Sequence, residues 1–105
     1  MSQGIQRDLM PIDYSLYFVA DAEFAAGREL VPTIEKAVAG GVTVVQLRGK
    51  ALPFRDFLDL SLRTAAALRR SGVPLLVNDR VDIALACGAA GVHLGQEDMP
   101  LARAR

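Results

Sequence analysis

Apolar residues fall along this chain in short blocks, each released into a polar or glycine-rich stretch. Leu16 to Ala20 (LYFVA) is aromatic and β-branched and predicts a first strand ending at Asp21. From Arg28 to Ala39, residues Leu30, Val31, Ile34, Ala37 and Val38 recur at helical spacing, and Gly40 and Gly41 supply the stop. Val42 to Leu47 (VTVVQL) predicts a second strand, nearly continuous in apolar character as expected when both faces are covered. Pro53 opens a helix whose stripe runs through Phe54, Phe57, Leu58, Ser61, Ala65 and Leu68 and closes at Gly72. Pro74 to Val77 reads as a third strand, Val81 to about Cys87 as a short helix, and Val92 to Leu94 as a brief fourth strand. Pro100 is then expected to begin a fourth helix, and the chain ends inside it at Arg105.

Strands alternating with helices imply a parallel sheet. A small open doubly wound sheet and the first half of a (β/α)8 TIM barrel, whose usual length is about 250 residues, both accommodate about four βα units. An open sheet should end on a completed element, whereas this chain stops barely one turn into a helix. The expectation is therefore an irregular segment over 1–14 and a partial barrel over 15–105. Such a half would expose interior positions such as Val42 and Val44 and two unpaired strand edges. Self-association is expected to cover them.

Composition narrows the partners. Lys plus Arg and Asp plus Glu are equal at 12 each, which gives no basic face for nucleic acid or an anionic membrane. The N-terminus lacks the apolar core of a signal peptide, and no run approaches the roughly 20 residues needed to span a bilayer. The cytoplasm is the default location. Cys87 is the single cysteine, so neither an internal disulfide nor a cysteine-rich zinc site can form, and it reads as packing.

The charged residues gather where the apolar blocks end. Gln46, Arg48 and Lys50 are spaced by two, so an extended chain turns all three to the face that Val42 and Val44 begin. Arg and Lys together suit a diphosphate, the first by its planar fork and the second as a point charge. Asn78 and Asp79 follow the third strand and Asp98 lies just past the fourth; two carboxylates with an amide nearby suit Mg²⁺. Plainer roles compete: Arg48 and Lys50 as a solvated strand end, Asp79 as the cap of the helix near Val81. Parallel α/β folds bind ligands at this end of the strands, and the joint arrangement favours a phosphate ester with a divalent metal. His93, flanked by Val92 and Leu94, reads as a core histidine. Asp82 is expected to pair with Arg80 or support its helix, and Glu97 to face solvent.

QLRGK at 46–50, VNDRVDIAL at 77–85 and GVHLGQEDMP at 91–100 together resemble the thiamine phosphate synthase family, in order and spacing from LYFVAD onward. The resemblance implies a (β/α)8 barrel that joins an aminopyrimidine methyl diphosphate to thiazole phosphate, releasing diphosphate and forming thiamine monophosphate. It further implies that Gln46, Arg48, Lys50 and Asn78 contact the pyrimidine diphosphate and that Asp79 and Asp98 hold Mg²⁺. No covalent or acid–base residue is implied. Gly49 departs from the family, whose members commonly carry Glu there; by parity that loss should touch helix-side packing more than the diphosphate site. The thiazole phosphate site comes from later strands, so this chain would carry a half-site. Two other readings remain, a thiazole tautomerase and a non-catalytic half-barrel. Tautomerases need not retain the paired carboxylates or the Gln-x-Arg-x-Lys pattern.

Overall fold

The computed structural model describes residues 12–23, 29–94 and 97–100, with Leu94 and 97–100 described as backbone. The elements follow in the order β1 (Tyr17–Asp21), α1 (Leu30–Ala39), β2 (Val44–Arg48), α2 (Phe54–Leu68), β3 (Leu75–Asn78), α3 (Val81–Cys87), β4 (Gly91–Leu94) and β5 (Glu97–Pro100). Most boundaries lie within two residues of those the sequence predicts. α1 starts at Leu30, with Glu29 as its N-cap. α3 ends on Gly88, whose φ of 73° is the left-handed cap that glycine adopts without a Cβ penalty.

The strands pair in sequence order, β1-β2-β3-β4-β5, the first three junctions parallel and the last antiparallel. A right-handed crossover between neighbouring parallel strands puts its helix on a fixed side of the sheet. Repeated in one direction, it puts every helix on the same side, which an open sheet with a reversal of strand order does not do. The core bears this out. Ala20, Leu47, Val77 and Val92 form one row across β1 to β4. They pack with Ile34 of α1, Phe57 and Leu60 of α2, and Ile83 of α3. Leu47, Val77, Val92, Ile34 and Ile83 are completely buried. Each such side chain contributes about 1.5–3 kcal/mol relative to exposure. This is the arrangement of successive βα units at the start of a (β/α)8 barrel.

Three expectations need correction. Val44 is completely buried, not exposed: its strand partner is Tyr17, whose hydroxyl accepts a hydrogen bond from Gln46 Nε2 at 2.6 Å on the same face. Val42 precedes β2, so strand alternation does not govern it, and it packs against the helix-side cluster. The large exposed apolar residues among those described lie instead on or beside β1, at Tyr14, Leu16 and Val19, and on the helices, at Phe54, Leu62 and Leu85. Finally, Pro100 is a strand residue and not a helical one, and the rest of the helix expected there lies outside the described residues. Pro100 ends β5 opposite Gly91, and β5 occupies the outer edge of β4. An edge strand offers unpaired backbone groups to the nearest segment, and proline is tolerated on such an edge. Residues 101–105, and nearly all of the segment expected to be irregular, lie outside the described residues.

One buried group is poorly served. Ser61, on the core face of α2, is fully buried and its Oγ has no hydrogen-bond partner among the described residues. Ser61→Ala removes that unsatisfied hydroxyl and improves helix propensity, and is expected to stabilise by about 1 kcal/mol. A denaturant melt with a lowered midpoint would contradict it.

Candidate functional site at the C-terminal rim

One residue beyond the buried row of β1 to β4, the same register assembles a polar one. Asp21 pairs with Arg48, and the step after Leu47 and Val77 brings Arg48 level with Asn78. Asn78 pairs with His93, and His93 with Asp98. Five strands thus present Asp21, Arg48, Asn78, His93 and Asp98 at one level. Asp21 is not among the site residues predicted from sequence, although it occupies the same strand-end position that singles out Arg48 and Asn78.

The structure places the predicted site residues as follows. Gln46 is buried below the rim, held by the Tyr17 hydroxyl. Arg48 is the exposed last residue of β2. Lys50 is also exposed, but β2 has ended by then, so alternation does not carry it onto the face of Gln46. It occupies a turn in which Leu52 N–H donates to Gly49 O at 3.0 Å. Gly49, also past the end of β2, is buried toward the helices as expected: a Cβ there would lie 3.0 Å from side-chain carbons of both Leu52 and Phe57.

Asn78 is buried and its Nδ2 donates to Asp79 Oδ2 at 3.2 Å. Asp79 has φ 62°, in the left-handed region that Asp and Asn enter more readily than other non-glycine residues. Its N–H donates to His93 O at 2.9 Å, tying the β3 exit to β4. The competing role as helix cap is not seen. Arg80 is the N-cap of α3 and no side chain caps that helix. Asp82 serves the first turn instead, accepting Ile83 N–H at 2.9 Å and a forked pair from Arg80 at 2.8 and 3.1 Å. The Arg80 side chain holds the Asp82 carboxyl below its ordinary pKa. The guanidinium also lies 5.0 Å from the centre of the Phe54 ring, so the β3–α3 loop is tied to the start of α2.

Asp79 therefore has an exposed carboxylate with one oxygen engaged by Asn78. Asp98 lies two strands away, about 10 Å at ordinary strand spacing. No group of three or more His, Cys, Asp or Glu side chains suited to a metal occurs among the described residues. Mg²⁺ bound by one or two carboxylates, with substrate phosphates and water completing its shell, does not need one. The hard oxygen donors at this rim fit that ion. At the opposite end of the sheet a cleft of about 410 Å³ is lined by Leu68, Arg69, Leu75, Cys87 and Ala89 among others. Burial there pushes the Cys87 thiol upward, which suits a packing role and not a nucleophile.

Comparisons with known proteins bear on the family of the chain. A family model described as thiamine monophosphate synthase matches residues 16–105. The thiamine-phosphate synthase of Syntrophomonas wolfei is 54% identical over 93 residues, covering 89% of this chain and 44% of that protein. That of Albidiferax ferrireducens is 56% identical over 90 residues, covering 86% and 41%. A solved thiamine phosphate pyrophosphorylase from Pyrococcus furiosus superposes with a TM-score of 0.68 at 31% identity, covering 91% of this chain and 44% of that one. The chain spans less than half the length of the curated relatives it matches. No helix among the described residues is long and apolar enough to cross a membrane. On the match of its residues 16–105, the chain belongs to the thiamine monophosphate synthase family.

Proposed function

We propose that this chain carries the pyrimidine diphosphate and Mg²⁺ half of a thiamine phosphate synthase site. The observation that supports the reading is the rim row Asp21, Arg48, Asn78, His93 and Asp98, with Lys50 and Asp79 in the adjoining loops. Arg48 and Lys50 bind the diphosphate of the aminopyrimidine substrate. Asn78 and Gln46 orient it, Asn78 also fixing the Asp79 carboxylate. Asp79 and Asp98 hold Mg²⁺, which when bound offsets charge on the diphosphate oxygens.

The reaction breaks the bond between the pyrimidine methylene carbon and the diphosphate oxygen and forms a bond from that carbon to the thiazole nitrogen. The electron pair of the broken bond leaves with diphosphate. The electron-rich aminopyrimidine can stabilise positive charge at the methylene, so catalysis is mainly electrostatic: Arg48 and Lys50 favour the charge that grows on the leaving group. No side chain is required as a covalent nucleophile. The thiazole phosphate is bound by later strands of a complete barrel.

A thermal melt with the aminopyrimidine diphosphate and Mg²⁺, singly and together, tests this. The pair at a hundredfold excess over its Kd is expected to add about 2.7 kcal/mol, and the single additions little. A melting temperature unmoved by the pair overturns the half-site reading. Light scattering on the same sample addresses association through β1 and the residue before it, where Val19 and Leu16 are exposed. A mass above one chain is expected, and a stable monomer counts against association.

A further inference from the structure

We propose that Glu23 is a positioning residue for Arg48 and Lys50, an inference that rests on the diphosphate reading of the rim. The turn over 49–52 is closed by the Leu52 N–H on Gly49 O. A turn closed this way leaves the amides of its two central residues, Lys50 and Ala51, without a partner inside the turn. Glu23 supplies one: its Oε2 accepts the Ala51 N–H at 2.6 Å. A bond to an ionised carboxylate is shorter and stronger than a neutral one.

Glu23 is itself fixed from below. Its N–H donates to Asp21 Oδ1 at 2.9 Å, and the preceding amide, Ala22 N–H, donates to Arg48 O at 2.8 Å. The segment leaving β1 therefore grips the segment leaving β2 at Arg48 and Ala51, the two positions that bracket Gly49 and Lys50. From the helix side, Gly49 is wedged against Leu52 and Phe57. Lys50 thus projects from a turn held on both flanks.

Charge alone argues against a carboxylate in this place. An acid beside a diphosphate site repels the ligand, so removing it should tighten binding. A backbone-holding role makes the opposite forecast, and the two can be separated. Glu23→Gln keeps an acceptor oxygen and loses the charge; Glu23→Ala loses both. The full chain and both variants would be titrated with inorganic diphosphate in Mg²⁺, and hydrogen exchange followed at the Ala51 amide.

Glu23→Ala is expected to speed Ala51 exchange and to raise the Kd about tenfold, equivalent to about 1.4 kcal/mol. Glu23→Gln should stay near the parent in both. Unchanged or tighter diphosphate binding by Glu23→Ala overturns the proposal, whatever the exchange shows. A parent chain with a protected Ala51 amide but no diphosphate binding would instead sink the half-site reading, and with it any role of Glu23 there. A parent chain with an unprotected Ala51 amide would sink the Glu23 contact alone.

Discussion

Asp79→Asn is expected to weaken Mg²⁺-dependent binding of diphosphate by at least about 10–100-fold, the range found even for residues that only support metal ligands. Stability should change by no more than about 0.5 kcal/mol, the usual range for a surface site. The separation follows from the geometry. Asp79 is exposed and its side chain caps no helix; its carboxylate accepts from Asn78, whose amide donates equally well to an Asn oxygen. Asparagine also tolerates the left-handed backbone at φ 62°. What the substitution removes is the negative charge. Titration calorimetry with inorganic diphosphate, with and without Mg²⁺, together with a melt of the same variant, reads both quantities. Parent-like affinity in Mg²⁺ would remove Asp79 from the metal assignment. A large loss of stability would make Asp79 a structural residue.

The second large effect belongs to the core. Leu47→Ala is expected to cost about 2–5 kcal/mol, out of the 5–15 kcal/mol that holds a domain of ordinary stability. Leu47 is completely buried near the end of β2, between Ala20 on one side and Val77 on the other, in the core cluster to which all three helices contribute. Little can collapse into the gap, because its neighbours are fixed by strand register. Val19, two residues from the rim on β1, is 44% exposed on the face away from the helices. Val19→Ala should cost less than about 1 kcal/mol. Denaturant melts of the two variants test whether stability resides on the helix-covered face. Equal losses would show that it does not.

Much of the fold and of the rim is legible in the amino-acid sequence. The blocks VTVVQL and PLLV are strands because fully covered parallel strands tolerate no alternation, and Gly88 marks the end of α3 because the left-handed cap selects glycine. The rim groups Arg48, Asn78 and Asp79 are legible from position alone, since each follows an apolar block. Three things are not. Strand parity cannot carry Lys50 past Arg48, because a strand's end depends on where its partners end. Glu97 to Pro100 (EDMP) has poor strand propensity, and only the free edge of β4 makes it β5. Glu23 acts through the Ala51 amide, far away in sequence, and no local pattern announces such a bond.

The sequential strand order has a consequence for how the rim comes into being. Residues 17 and 44 meet first in chain order, then 45 and 75, then 76 and 91, and last 91 and 100. Among the described strands, each docks onto the one made just before it. A chain leaving the ribosome can therefore grow this sheet by accretion, as stacked repeats grow. Arg48 of β2 and Lys50 of the turn after it are in place before the carboxylate after β3 arrives, and Asp98 closes the row through a short hairpin that costs little entropy to form.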